Sequence, residues 1–443
     1  MSIPLDRLYD HLYHKSNQDM LIYGWLPHGS KKLADFKPIS TRFVDDYTIA
    51  MTIPIAIMHD QEPLCFDLWT KEDFAQHWER YVIDKQRNHH YMDKDRVDFQ
   101  AGMHLRGATY NGCNLYDLMI IVHSEQNSTE IAKYKQHGYV PVYYWSHALI
   151  AADWFRYAQH DPVLEHHSAN IKYDFLIYNR AWSGTREYRL TFAEMIANGN
   201  LANQCLTTFS PVDSGNHYTG HQFKNATLQI THNTLHEIFA LNQHPSSASA
   251  DYNNLDYAQS GIEVVLETLF DDTRWHLTEK TLRPIACAKP FMLAATTGSL
   301  QYLRSYGFET FGQYINEDYD LIADPRQRLD ALAQEMRRIS QLPTEQKRTL
   351  WQQLNHIAKR NQQRFFSVEW QSSIEQEFYQ NLDQAIIEIN RYCTGKYWAQ
   401  SKTMPLSMKV TAEELQFFES WLAARNQGLV RDPSQDSSGG FCL

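Results

Sequence analysis

Six cysteines are spread through 443 residues, and no two form a C-x-x-C pair. A zinc knuckle or a disulfide framework is therefore not what organises this chain. Cys65, Cys113, Cys205, Cys287, Cys393 and Cys442 read instead as reduced thiols. Positive charge is also scarce: 41 Lys and Arg stand against 52 Asp and Glu, for a net charge of −11. That balance argues against a broad nucleic-acid surface and against docking on anionic lipid, while leaving room for a local basic cleft. No apolar run approaches the roughly 18 residues of a membrane span. The first residues, MSIPLDRLYDHLYHKSNQD, lack an apolar signal region, so a cytoplasmic protein is expected. There is no H-E-x-x-H pattern among the 21 His and no G-x-S-x-G elbow, and neither a metal site nor a serine hydrolase is expected. No internal repeat is visible.

What is present is apolar and aromatic. Hydrophobic residues make up 43%, which is enough for large cores. The length suggests two or three domains at about 100–200 residues each. Short apolar runs alternate with short helical stretches. Strands are expected in Asp19 to Leu26, within Tyr47 to Met58, in Tyr116 to Val122 and in Tyr139 to Trp145. Helices are expected over Phe74 to Arg87, from Ser128 to Gln136 and over Ala148 to Tyr157. A second series follows: strand Tyr173 to Tyr178, helix Glu187 to Ala197, strand Gln204 to Phe209, and a polar stretch, Tyr218 to Leu255, without a clear pattern. The fold class is α/β with parallel sheets. Amphipathic helices over Arg326 to Leu342, Thr344 to Arg364, Val368 to Asn390 and Thr411 to Arg425 come after the second series, and the composition of Asp432 to Leu443 is that of a disordered tail.

Two stretches carry chemistry. Ile262 to Leu293 runs from an apolar strand ending at Glu267 and Thr268, through a polar turn with His276, to Thr278-Glu279-Lys280. A helix over Thr281 to Ala288 and a strand over Pro290 to Ala295 then complete the unit. Such sheets bind ligands at the carboxyl ends of their strands. The first-turn amides of the helix favour an anion, and Lys280 adds a point charge for phosphate. The second stretch, Asn179 to Arg189, crowds Arg180, Arg186 and Arg189 into one strand-to-helix turn beside Ser183, Gly184 and Thr185. Small residues let a ligand approach the backbone, and guanidinium forks match phosphate oxygens. A diphosphate accounts for this concentration of charge in an acidic protein. The competing account is a solvated helix start with Arg paired to Glu187 and Glu194.

The stretch LETLFDDTRWHLTEKTLRPIACAKPFML resembles the donor-binding signature of the α-1,3-fucosyltransferase family. The turn from Tyr178-Asn179 to Arg186 resembles a second part of the same pattern. The likeness spans Lys172 to about Leu303. It implies a GT-B-like architecture, with two Rossmann-like domains facing a cleft, and an inverting transfer that needs no bound metal. Domain bounds of 1–165 (acceptor side), 172–365 (donor side), 366–430 (C-terminal helices) and 431–443 (tail) follow. By resemblance, Glu279 meets the nucleoside ribose, and Lys280 and Arg186 meet the diphosphate. Asn179, Arg180, Ser183, Gly184, Glu267, Thr268, His276 and Thr278 complete the donor set. The family has Tyr and Asn where this chain has His276 and Thr268, so the base and the sugar are left open.

An inverting transfer needs a carboxylate that removes the acceptor hydroxyl proton. Glu62 and Asp60, in His59-Asp60-Gln61-Glu62-Pro63 at the end of an N-terminal strand, fit that role, with Glu62 preferred. His123, Glu125 and His147, also at strand ends of the N-terminal half, are candidates for acceptor contact. No cofactor is implied beyond the nucleotide diphosphate sugar as co-substrate. The acceptor is a hydroxyl on a glycan or glycoconjugate. A modified DNA base is a second reading, in which nucleic acid enters only as acceptor. A non-catalytic nucleotide-binding scaffold is a third.

Overall fold

The computed structural model describes residues 20–25, 53–57, 109–110, 113–114, 120–127, 131–132, 140–143, 145–165, 171–231, 233–239, 251–374 and parts of 376–385. The chain divides into two compact units. One holds residues 6–123, 130–144 and 375–443; the other holds 1–5, 124–129 and 145–374.

The N-terminal unit contains strands β1 (Met20–Trp25), β2 (Ile53–Ile57), β5 (Ile120–His123) and β6 (Val140–Tyr143), with a small ladder of β3 (Thr109–Tyr110) and β4 (Cys113–Asn114) beside them. The four longer strands form one parallel sheet in the order β1-β2-β5-β6, which is also their order in the chain. Residues after Ile374 group with this unit, and Asn381 Nδ2 donates to the carbonyl of Tyr143 at 3.1 Å. Asp60, Glu62, the Phe74 to Arg87 helix, the Thr411 to Arg425 helix and the tail lie outside the described residues.

The C-terminal unit is built on a second parallel sheet of four strands: β7 (Tyr173–Asn179), β8 (Cys205–Phe209), β11 (Ser260–Leu266) and β12 (Phe291–Ala294). A two-residue hairpin pair, β9 (Val212–Asp213) and β10 (Asn216–His217), follows β8. The order in the sheet is β12-β11-β7-β8, so the chain builds outward from β7 to β8, then returns to the other side of β7 for β11 and β12. The helices are α1 (Ser146–Trp154), α2 (Tyr188–Asn198), α3 (Glu279–Ala286), α4 (Ser299–Ser305), α5 (Pro325–Ser340) and α6 (Thr344–Phe365), joined by single helical turns. Between Tyr218 and Leu255 the described residues include the single turns Tyr218–Gly220, Ala226–Leu228 and Leu235–Ile238.

Every residue of β11 is buried, as expected of a central strand covered on both faces. Gly261 sits in it because α6 approaches closely: a Cβ there would stand 2.8 Å from Trp351 and 2.9 Å from the Asp174 carbonyl. Glu263, two residues on and so on the same face, is a carboxylate in the core. Arg283 of α3 pairs with it, the hydroxyl of Tyr257 donates to it, and the Arg283 guanidinium lies 4.8 Å over the Tyr178 ring. A buried charge is tolerable only with such partners. Lys289 donates to the carbonyls of Tyr257 and Ser260, and burial pulls its ammonium down to about 7.

The expected division at residues 165–172 differs from the observed one. The α1 helix and the segments 124–129 and 145–165 belong to the C-terminal unit. Trp145 explains part of this. It is fully buried, 4.5 Å from the Tyr306 ring and beside Tyr302 and Trp370, and its Nε1 donates to the Leu277 carbonyl at 2.9 Å. An aromatic of that size brings its flanking chain to the core that buries it.

Candidate functional site

The reversal of strand order puts the carboxyl ends of β7 and β11 side by side. In open α/β sheets this is where the connections diverge to opposite sides and leave a crevice. The two stretches singled out in the sequence, Asn179 to Arg189 and Glu267 to Lys280, are the connections that leave these two strand ends.

The first connection is held from below. Asn179 is buried and its Nδ2 donates to the Arg189 carbonyl at 3.0 Å. Arg189 is itself buried. Its guanidinium donates to the carbonyls of Ala181 and Leu266, both at 2.6 Å, and of Glu267 at 3.1 Å. Arg189 therefore clips the end of β11 to the turn after β7, and its fork is committed to backbone, not to a ligand. The turn itself reads Trp182, buried with Nε1 donating to the Ser210 carbonyl, then Ser183, then the single turn Gly184–Arg186. Gly184 has φ +69° in open space, so a side chain there would be opposed by backbone conformation and not by crowding.

Arg186 is half-buried and donates no hydrogen bond to any described residue. Burial lowers its pKa, and the neighbouring Arg189 charge pushes the same way. The exposed Arg180 is also lowered, first by burial, while Glu279 acts in the opposite sense on both. Two guanidinium groups next to a third, under partial desolvation, create a place where an anion is favoured.

The second connection changes the meaning of its acid. Glu267 Oε1 accepts from Thr278 N at 2.9 Å, Thr281 N at 3.2 Å and Thr281 Oγ1 at 2.6 Å. Its Oε2 accepts from Thr268 N at 3.1 Å and Thr278 Oγ1 at 2.9 Å. These donors fill the roughly four lone-pair sites of a carboxylate. Glu267 is thus the anion at the start of α3. The helix begins at Glu279, two residues before the expected Thr281, with Thr278 as N-cap accepting from Lys280 N at 3.4 Å. The amides expected to receive a phosphate are partly taken by the chain's own carboxylate and hydroxyl. What remains toward the crevice is the side chains. Lys280 Nζ lies 2.7 Å from Glu279 Oε1 and 3.1 Å from Thr278 Oγ1, and Glu279 Oε2 lies 3.7 Å from His147 Nε2.

His276 is buried. Its Nδ1 lies 3.3 Å from both the carbonyl and the hydroxyl of Ser124, and its ring meets that of His147 edge to face at 5.1 Å. Burial drives its pKa down to about 4, so the ring is neutral near pH 7. A carbonyl only accepts, so Nδ1 carries the proton and the unpartnered Nε2 is left as an acceptor. The Thr268 hydroxyl is likewise buried and, among the described residues, without a hydrogen-bond partner.

The residues assigned to acceptor contact do not stay together. His123 closes β5 in the N-terminal unit, its ring 6.0 Å from Tyr143. Ser124 to Gln126 and His147 belong to the C-terminal unit. There Gln126 and Trp275 exchange backbone hydrogen bonds at 2.9 and 2.7 Å, and Arg274 bridges Asp272 at 2.6 Å and Glu125 at 3.2 Å. Glu125 and His147 therefore flank the loop after β11, on the side expected to hold the donor. Sequence reasoning missed Arg274, which pairs with Glu125 149 positions away, and the meeting of Ser124 with His276. It also missed Asp213, which sits in an ordinary hairpin sequence, Pro211-Val212-Asp213-Ser214-Gly215. Among the described residues no His, Cys, Asp or Glu cluster has the form of a metal site, and no helix is long and apolar enough to cross a membrane. The chain matches no protein-family model, no curated protein and no solved structure.

Proposed function

We propose that the crevice between β7 and β11 binds the diphosphate of a nucleotide diphosphate sugar, and that the protein is an inverting, metal-independent glycosyltransferase of the fucosyltransferase-like kind. The observation that supports this most is Arg186. A half-buried guanidinium without a hydrogen-bond acceptor among the described residues, near Arg180 and Arg189 at the reversal point of a parallel sheet, calls for a polyanion. Glu279 supplies a carboxylate that suits sugar hydroxyls. The GT-B arrangement of two Rossmann-like domains belongs to this reading, as does a cytoplasmic location.

In the transfer, a carboxylate of the N-terminal unit, Glu62 before Asp60, takes the proton of the acceptor hydroxyl. The oxygen forms its bond to the anomeric carbon, and the bond from that carbon to the phosphate oxygen breaks. The nucleoside diphosphate leaves with the electron pair, and Arg186 and Lys280 meet the charge that develops.

A thermal-shift screen against nucleoside diphosphates and their sugars tests the reading, since a ligand of the folded state raises its stability by mass action. One base is expected to stand out. Arg186→Ala and Lys280→Ala should each weaken its binding about tenfold, or about 1.4 kcal/mol. Equal affinity in both variants and in the unaltered protein would remove the diphosphate site.

A further inference from the structure

Asp213 lies on β9, outside the two connections that form the crevice, yet its carboxylate reaches into the first of them. Asp213 Oδ2 accepts from Trp182 N at 2.8 Å and from Ser183 N at 2.6 Å. The two hairpin neighbours reinforce the contact: Ser183 Oγ and Ser214 Oγ lie 3.2 Å apart, and the Ser210 carbonyl accepts from Trp182 Nε1 at 3.0 Å. Burial opposes the charge on Asp213, but the Ser183 hydroxyl, then the amides of Ser183 and Trp182, and the Ser214 hydroxyl outweigh it and hold the carboxyl below its usual range. The group is an anion and acts on Arg186, whose own charge it helps to keep.

A carboxylate beside a phosphate subsite is electrostatically adverse for the ligand, so geometry has to compensate. Here it does. The segment from Ala181 to Arg186 makes no regular ladder, and its Gly184 takes a left-handed conformation that many backbones would leave. Arg189 holds one end of that segment through the Ala181 carbonyl. Asp213 holds the next two amides. Between them they restrain the backbone that leads into the turn Gly184–Arg186, from which the Arg186 guanidinium is presented.

We infer that Asp213 is a positioning residue for the diphosphate subsite: by fixing the amides of Trp182 and Ser183 it sets where Arg186 stands, and the β9–β10 hairpin is the structural arm that delivers it. This rests on the diphosphate reading of the crevice. Pre-organisation of this kind raises affinity by removing the ordering cost at the moment of binding.

The test uses the full chain, inorganic pyrophosphate as probe, and the variants Asp213→Ala and Asp213→Asn. Affinity is measured by calorimetry well below the melting temperature, where all three proteins are folded. Asp213→Ala should weaken pyrophosphate about tenfold and speed amide exchange at Trp182 and Ser183 at least tenfold. Asp213→Asn keeps an oxygen that accepts both amides, and should return affinity to within about threefold of the original. A residue that only stabilised the fold would lower the melting temperature of Asp213→Ala and leave the affinity of the folded protein alone; that result overturns the proposal. So does tighter binding by Asp213→Ala, which would mean that the carboxylate competes with the anion for the two amides. If the unaltered protein binds neither pyrophosphate nor any nucleoside diphosphate, the diphosphate reading falls and the positioning role with it. If it binds and Asp213→Ala binds equally, the positioning role alone falls.

Discussion

The described residues form two parallel sheets of four strands that differ in strand order. In the N-terminal sheet the strands stand in chain order, β1-β2-β5-β6, and the described strands show no reversal. In the C-terminal sheet the order is β12-β11-β7-β8, and the chain reverses between β7 and β11. Both sheets have apolar strands, and both end in polar residues, His123 in one and Asn179 and Glu267 in the other. Among the described strands the second sheet has the reversal, where neighbouring connections leave in opposite directions. The polar groups that gather at it come from β7, β11, α3 and the segment 124–127, and several are buried. A strand end of itself is a weak pointer to function; a strand end at a reversal is a stronger one.

Four experiments bear on that contrast, from the largest expected effect to the smallest. The first concerns the scaffold of the reversed sheet. Gly261→Leu forces a side chain into the contact of β11 with Trp351 and the Asp174 carbonyl, and should cost about 3 kcal/mol in chemical denaturation. A loss near zero would mean that α6 can shift and that the sheet does not depend on this approach.

The second concerns the desolvation of the crevice. His276 has a pKa of about 4 when folded and about 6.5 in the unfolded chain, because burial disfavours the charged ring. The unfolded state then binds the proton first as pH falls. Stability should drop between pH 6.5 and pH 4, by at most roughly 3 kcal/mol. Asp320, raised by burial to about 6, works in the opposite sense over part of that range, so the total slope is smaller. His276→Gln removes only the His contribution. Its stability relative to the unaltered protein should improve from pH 7 to pH 4.5, and parallel profiles would show that the ring is not held neutral. The third is the tenfold loss of nucleoside diphosphate binding in Arg186→Ala, which locates the anion at the reversal.

The smallest effect is the control at the other sheet. His123→Ala, at the carboxyl end of β5, should leave nucleoside diphosphate affinity within about twofold while lowering transfer to the acceptor. A large loss of nucleotide affinity would assign ligand binding to the sheet without a reversal and erase the contrast.

The elements were largely legible in the residues. Periods of apolar residues located β7, β8, β11, α2, α5 and α6 to within one or two positions, since short buried strands and amphipathic helices have the simplest patterns. Less legible was the stretch after Tyr218, whose described part up to Thr231 is fastened by side chains: Glu187 accepts from Lys224 N and Asn225 N, and Glu194 from Thr231 N. Capping of that kind joins residues far apart in the chain and leaves no period. The same holds for segment 124–127, whose pairing with Trp275 moved Glu125 and the neighbouring His147 away from the half of the chain in which they occur.

By itself the sequence determined the α/β class, the strand-turn-helix units, the existence of α3 to within two residues of its start, and the two connections in which charge gathers. These are local properties, set by side chains within a few positions of one another. Tertiary structure alone decided which charges are still available. Of three arginines in one turn, Arg189 is committed to the carbonyls of Ala181, Leu266 and Glu267, while Arg186 has no such partner among the described residues. Glu267 caps α3 from the end of β11, and Asp213 pins the Arg186 turn from a separate hairpin. A buried polar group must find a hydrogen-bond partner, and that partner is chosen by proximity in space, which no spacing along the chain records.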